Sequence, residues 1–540
     1  MTIPHKYHIP LLLLVCLCIF FPHLGVMYEN IMEARNFVTA RDMVERGNWI
    51  FTTINDTPRY QKPPMPTWFT ALSALVFGLG KLWALRLPAA IMATLLTLSS
   101  YRLGREIFKD AMQALYAALI LATSFYIVFA GRNGTWDIYC HAFTMVSIYC
   151  LWHFIRGRKL LLNAIGAGVF IGFSFLSKGP VSHYALLLPF IIAYLVVYRP
   201  PFSWKKAFPL SLLIICALVV GLSWGLVIYF FDHDTLTRIL EAEAAARGNR
   251  NVRPFYYYWS FFTQSGIWTI PAFIGLLYPY LKNKVKDLQA YRFTLFWTLA
   301  AVILLSIIPD KKSRYLMPML IPLALNTSFY IKYLVHNFQD FKSNLERFPV
   351  YFNFGIIAVI ALVAGITGVF ALDLTGLWPW FVLLALSLII VGVVIVRGLR
   401  AKNISRVFMA VIAFTCCVIV FGFPLMRITY SNPDFDRLSP KITQWQAQGV
   451  PVYMFDNGSP ELLWDTGHVL PVVVEDGVHL PQEDEFMVIL DGARIDDFTS
   501  EFASFDFQEV DVIDGNVLPG TDRNHKDRRV AHVFKVSQGR

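Results

Sequence analysis

Residues 151–206 read LWHFIRGRKLLLNAIGAGVFIGFSFLSKGPVSHYALLLPFIIAYLVVYRPPFSWKK. Two apolar runs, near 160–177 and 180–198, are separated by a turn holding a single cation, Lys178. Basic clusters bound them: Arg156, Arg158 and Lys159 before, Lys205 and Lys206 after. A bilayer-spanning helix needs roughly 20 apolar residues, and loops rich in Lys and Arg stay cytoplasmic. The stretch therefore reads as a helical hairpin that leaves the cytoplasm, turns outside at Lys178-Gly179-Pro180 and returns.

The same alternation extends along the chain. Lys282, Lys284 and Lys286 follow one further span, and Arg397, Arg400 and Lys402 another. The pattern predicts about thirteen spans, near 9–26, 86–103, 111–130, 136–155, 160–177, 180–198, 207–231, 257–281, 291–308, 314–334, 351–372, 378–396 and 405–425. The first run lacks an A-x-A-like cleavage site and an acidic segment follows it, so it reads as a retained span. A weakly basic start (His5, Lys6) puts the N-terminus inside, and an odd number of spans puts the C-terminus outside.

Composition agrees. Of 540 residues, 56% are hydrophobic and only 16% charged, too few charges for a soluble chain of this length. Mean hydropathy is +0.51. The net charge of +10 sits mostly in the basic loops, where it sets topology and meets anionic membrane lipid. No recognition motif or basic face with interleaved aromatics points to nucleic acid. The seven cysteines all fall in apolar spans, so no disulfide is expected outside, and no spacing fits a zinc cage.

The fold class is thus mainly α: a polytopic membrane protein with a small C-terminal α/β domain. Residues 1–428 form the membrane domain. Its first outer loop, 27–84, holds an amphipathic helix over Met32–Arg46, with Phe37, Ala40, Met43 and Val44 on one face and Arg35, Arg41, Asp42 and Glu45 elsewhere. Such a helix would lie along the outer interface. Residues 66–80 suit a re-entrant or interfacial helix. Residues 432–540 are acidic, with strands expected at Pro451–Phe455, Phe486–Leu490 and Ala531–Val536 and helices at Lys441–Gln448 and Ser459–Thr466.

No Walker A, G-x-G-x-x-G, H-E-x-x-H or G-x-S-x-G pattern occurs, so nucleotide hydrolysis and soluble-type hydrolase chemistry lack support. What remains is charge at outer span ends. Glu29 and Glu33, four apart, share a helix face and could activate a nucleophile or hold a metal; they could equally be the solvated start of a helix. Lys62, in Gln61-Lys62-Pro63-Pro64, is fixed by prolines as a phosphate partner or a snorkelling lysine. Asp137 opens a span, where the helix dipole alone would favour an acid, but it is the lone acid of its loop, with Arg132 and His141 nearby in sequence. Arg247 lies in a loop with Arg250 and Arg253, and Arg314 follows Asp310-Lys311-Lys312-Ser313. These two cation clusters sit outside against the positive-inside bias, which points to an anionic ligand.

In this order the residues resemble the bacterial polyprenyl-phosphate-sugar glycosyltransferases, the lipid A 4-amino-4-deoxy-L-arabinose transferases and protein O-mannosyltransferases among them. The resemblance covers roughly residues 10–325 in motif order. It rests on Glu33-Ala34-Arg35-Asn36-Phe37, Ala40-Arg41-Asp42-Met43, Gly47-Asn48-Trp49, Tyr60-Gln61-Lys62-Pro63-Pro64, Asp137 and Lys178-Gly179-Pro180. It implies a GT-C type glycosyltransferase of the bacterial inner membrane, with the C-terminal domain in the periplasm. Such an enzyme moves a sugar from a polyprenyl (undecaprenyl) phosphate donor to a lipid, glycan or protein acceptor, with inversion. The implied roles are Glu33, Asp137 or Glu29 as base, and Lys62, Arg247, Arg314, Lys178 and Lys312 for the donor phosphate.

The chain departs from the family twice. Met32 stands where the family carries its favoured catalytic Asp. Gln61 replaces an acid that resembles a ligand for a divalent metal. Two rivals keep the same outward charges: a transporter or flippase for a lipid-linked sugar, and a non-catalytic assembly subunit. A transporter predicts inverted repeats and ionisable residues at mid-membrane, and the sequence has neither.

Overall fold

The computed structural model describes residues 3–201, 203–247, 251–371, 374–474 and 479–537. The chain is mainly helical and forms two compact units that do not follow sequence order. The first comprises Met1–Leu24, Gln61–Pro66 and Leu87–Leu425, the second Gly25–Tyr60, Thr67–Arg86 and Met426–Arg540.

Among the described residues, eight helices are long and apolar enough to cross a membrane: Leu82–Phe108, Asp137–Ile155, Leu160–Lys178, Trp204–Phe231, Leu288–Ile307, Asn344–Ala364, Trp378–Arg400 and Ile404–Thr429. The pair Ala111–Ala122 and Phe125–Gly131 would be a ninth, but it bends by 66°. The bend has a local cause. The Thr123 and Ser124 hydroxyls each donate to a carbonyl four residues back, Leu119 O and Ile120 O, both at 2.7 Å, and such back-bonding bends helices.

The other expected spans are shorter or broken. His5–Phe20 and His183–Tyr198 are apolar but below span length. The 257–281 stretch breaks at Gly266, whose φ of 66° lies in the left-handed region, and continues as Thr269–Leu276 and Tyr278–Leu281. The 314–334 stretch opens as 3-10 helix over Ser313–Met319, where Pro318 has no N–H to give, before Leu320–Asn337.

Lipid tails give no hydrophobic drive for helix association, so spans that pack closely need small residues at the contact. Gly168 and Gly172, four apart on Leu160–Lys178, meet Leu213, Cys216, Val220 and Gly221 of Trp204–Phe231. A methyl group added at Gly172 would sit 2.5 Å from Val220 Cβ.

The second unit centres on a four-stranded sheet. Its strands follow a two-stranded hairpin, β1 (Thr53–Ile54) with β2 (Thr57–Pro58). They are β3 (Val452–Met454), β4 (Glu485–Asp491), β5 (Asp506–Asp514) and β6 (Val530–Ser537), in the order β3-β4-β6-β5. β3 runs parallel to β4, and β6 is antiparallel to both its neighbours. Alternate residues of β4 feed two cores. Met487 and Ile489 join Leu438, Ile442, Leu462 and Leu463 on one face, and Phe486, Val488 and Leu490 join Phe498, Phe502 and Phe534 on the other. A strand covered on both faces reads as a continuous apolar run, which residues 486–490 do. β5 was not expected from sequence: DFQEVDVID carries four acids in nine residues and is mostly exposed, as suits an edge strand.

The helix Ile31–Arg46 differs from the expected surface element. Val38 joins the core that β4 and β6 share. Arg41 and Asp42 are as buried as Phe37. Arg41 Nη1 donates to Leu463 O at 2.8 Å and to the Thr466 hydroxyl at 3.1 Å. Asp42 Oδ2 accepts from the Thr53 hydroxyl at 2.8 Å and from the Asp56 amide at 3.1 Å. The polar face that sequence assigns to water is built into the unit's interior.

Gly172→Val should lower the thermal midpoint in detergent through overpacking, which costs about 1–3 kcal/mol. Gly225→Ala, where an added methyl meets nothing within 4 Å, should leave it unchanged.

Candidate active site in two charged clusters

In the first unit, Asp137 and Lys178 stand at the ends of consecutive helices, one opening Asp137–Ile155 and the other closing Leu160–Lys178. The helix stops after Lys178 because Gly179 takes φ 68°, ψ −151°. The two side chains form a buried ion pair, with the residues 8% and 9% exposed. Polar contacts continue behind the pair. His141 Nδ1 lies 2.9 Å from the Ser182 hydroxyl, Thr144 donates to Ser174 at 2.8 Å, and Ser174 donates to Cys140 O at 2.9 Å.

Arg314 and Tyr315 complete this cluster. The Tyr315 ring lies 5.9 Å from Lys178 Nζ and 5.7 Å from the Arg314 guanidinium carbon, and the Arg314 charge also acts on Asp137. Arg314 Nε is buried and meets no acceptor among the described residues. Lys311 is committed elsewhere, donating to Ile308 O at 2.6 Å and Arg253 O at 3.1 Å. Lys312 is half-buried, and its backbone N–H donates to the Tyr258 hydroxyl at 2.9 Å. Lys62 is half-buried in the same unit. Arg132 is structural: its two terminal nitrogens donate to Ile19 O and Pro22 O at 2.7 and 2.6 Å. Arg247 ends the helix His233–Arg247, and its side chain lies outside the described residues, as does Arg250.

The second unit holds the other two acids. Glu33 is closed in. Its carboxylate takes a two-pronged contact from Arg86, Nε to Oε1 at 2.7 Å and Nη2 to Oε2 at 2.9 Å. It also accepts from the Asn30 amide at 3.3 Å while Asn30 Oδ1 accepts from the Glu33 amide, a capping box that starts Ile31–Arg46. Arg86 further donates to Met27 O at 2.7 Å. Glu33 thus holds a helix start, and it is not an open carboxylate as the sequence suggested. Glu29 is different. It is buried, its ionic partner among the described residues is Arg529 at 3.4 Å, and burial pushes its carboxyl up to about 7 despite that guanidinium.

Residues 61–224 match the family described as dolichyl-phosphate-mannose-protein mannosyltransferase. The chain is 26% identical over 349 residues to an undecaprenyl phosphate-alpha-4-amino-4-deoxy-L-arabinose arabinosyl transferase 2 of Proteus mirabilis, covering 61% of this chain and 60% of that one. It is 27% identical over 313 residues to the corresponding transferase of Pseudomonas aeruginosa, covering 54% of each. The match therefore spans little more than half the length of these curated relatives. In fold, the chain superposes on ArnT from Cupriavidus metallidurans, solved bound to undecaprenyl phosphate, with a TM-score of 0.70 over 98% of this chain and 97% of that one, at 17% identity.

The chain is similar to the aminoarabinose transferases and, over residues 61–224, to the protein mannosyltransferases.

Sequence reading picked out Asp137, Lys178 and Arg314, which the fold brings together. It missed their companions. Arg86 could have been found, as a lone cation near the start of an apolar run. Tyr315 and Arg529 carry no such signal. No three His, Cys, Asp or Glu side chains gather as metal ligands among the described residues.

Glu29 has a measurable consequence. Its folded-state value lies above its ordinary 4.5. Between about 4.5 and 7 the folded chain therefore holds a proton that the unfolded chain has released, and stability falls as pH rises through that window. Glu29→Gln should flatten this part of the dependence of the thermal midpoint on pH. An unchanged slope would mean that the carboxyl is ordinary.

Proposed function

We propose that this chain is a membrane glycosyltransferase that moves a sugar from a polyprenyl phosphate to an acceptor on the outer face of a bacterial inner membrane, with inversion. The observation that carries the reading is the buried Asp137–Lys178 pair at two adjacent span ends, with Arg314 beside it and one guanidinium nitrogen unmet. The family match and the names of the relatives support the donor class.

The chemistry divides over these residues. The acceptor oxygen attacks the anomeric carbon. The bond from that carbon to the phosphate oxygen breaks, and its electrons leave with the polyprenyl phosphate. The acceptor proton passes to a carboxylate, Asp137 first and Glu29 second, since Glu33 is occupied by Arg86. Cations stabilise the phosphate charge as it develops: Arg314 and Lys62, joined by Arg247 and Lys312. Lys178 stands between the two roles, because it pairs with the acid and carries the positive charge. The acceptor class is a lipid, a glycan or a protein.

The topology belongs to the same proposal. The nine helical segments counted above, together with the broken or short stretches at 5–20, 183–198, 255–281 and 313–337, give thirteen passes. The N-terminus is then cytoplasmic. Residues 1–428 are the transferase domain, and 432–540 an α/β domain in the periplasm. Reporter fusions at Arg158 and Gly458 should report opposite sides of the membrane; a same-side result would sink the arrangement.

Two substitutions test the roles. Asp137→Asn keeps the shape and removes the charge. Transfer from an undecaprenyl-phosphate sugar should fall by about 10²–10⁴-fold with donor binding retained. Lys62→Ala should weaken donor binding by about 1.5–3 kcal/mol, the worth of a charge-assisted contact. Full transfer in Asp137→Asn would move the base to Glu29. Donor binding without any transfer by the unmodified chain would favour the non-catalytic subunit.

A further inference from the structure

The second unit contains a cavity of about 220 Å³ that the mechanism above does not use, apart from Glu29 on its wall. Its volume is small beside the ~300–1,000 Å³ of sites for drug-sized ligands. Both halves of the unit build it: Tyr28, Glu29 and Trp83 come from the first outer loop, and Arg437, Glu461, Trp464, Asp465 and Arg529 from the C-terminal residues.

Three properties of the wall narrow what fits. The first is charge balance. Each acid has a guanidinium beside it: Arg529 by Glu29 at 3.4 Å, Arg528 by Glu461 at 2.8 Å, and Arg437 and Arg529 acting on Asp465. A simple cation or anion would upset that balance. The second is an unmet acceptor. Glu461 is 3% exposed, and its Oε1 takes both contacts from Arg528, while its Oε2 is buried and receives no hydrogen bond among the described residues. A buried carboxylate oxygen without a donor is costly, so the site calls for a hydroxyl or amine hydrogen that the chain does not supply. The third is the aromatic lining. Trp83 is 39% exposed, and Trp464 and Tyr28 are half-buried, so ring surface is open to a ligand. Aromatic faces are electron-rich and attract the edges of C–H bonds.

A neutral ring that carries several hydroxyls meets all three. Each hydroxyl both donates and accepts, matching carboxylates alternating with guanidiniums, and the C–H face covers a tryptophan. We infer that this cavity is a binding site for a single monosaccharide unit, held by Glu461 and Trp83. It goes beyond the transfer reaction, since neither residue has a role there.

The test uses the full chain in lipid nanodiscs and saturation-transfer NMR with three probes: the methyl glycosides of glucose, galactose and mannose. At least one should receive saturation at its ring protons. Its dissociation constant should rise about tenfold or more in Glu461→Gln and in Trp83→Ala, the loss expected for a contact to a charged group or an aromatic face. Trp83 is exposed enough for its truncation to leave the fold intact, so it decides the question even where Glu461→Gln fails to fold. No saturation on any probe would overturn the proposal, as would equal affinity in both variants. Displacement of the glycoside by spermidine or by inorganic phosphate would also overturn it, because the cavity would then be a charge site. Transfer measured on the same samples separates the two readings: glycoside binding without transfer defeats only the catalytic one, and transfer without glycoside binding defeats only this one.

Discussion

Four charges from one short segment and its neighbour are buried in the second unit, and its assembly depends on their being satisfied. Glu33, Arg41 and Asp42 lie on the single helix Ile31–Arg46, and Arg86 reaches the first of them from another element. A buried charge without a partner costs several kcal/mol, and breaking one such pair costs about 3–5 kcal/mol. The helix therefore cannot settle until Arg86 is on Glu33 and the Leu463 and Thr466 oxygens are on Arg41. Each of these contacts has a specific partner, so the charges fix the position of the helix more than they strengthen the unit.

The first unit uses the same physics at Asp137 and Lys178 but leaves it incomplete. The pair is buried and closed on itself, whereas the adjacent Arg314 keeps one nitrogen without an acceptor. Donor groups already aimed at the place where charge will develop need no reorganisation when it arrives.

Legibility in the sequence followed the physics of each element. Spans of continuous apolar residues were readable, because composition alone decides them. Stretches 257–281 and 314–334 were as apolar but carry Gly266, Pro271 and Pro318, and there local backbone chemistry decides. In the C-terminal residues, β3, β4 and β6 overlap the three segments read as strands, since their apolar side chains fill a core. β5 did not show, because an edge strand with water on one side needs no apolar pattern. Asp137 was legible as the lone acid at a helix start, Lys178 as a lone cation in a turn, and Arg314 as one of a cluster of cations. The burial of Arg41 and Asp42 was not, because helical periodicity assigns charges to water and cannot see a carbonyl 422 positions away.

The pairing of Ile31–Arg46 with the C-terminal sheet also sets a clock. The helix is made early, but the strands that cover Val38 are made last, after all the intervening spans. At roughly 5–20 residues per second of synthesis, the wait lasts on the order of tens of seconds. Throughout it, a segment carrying Glu33, Arg41 and Asp42 has no core to enter. A chain cut short after its last span would leave that segment permanently without one. The second unit thus joins early and late stretches of the sequence in one core, and its helix stays uncovered until the later stretch is made.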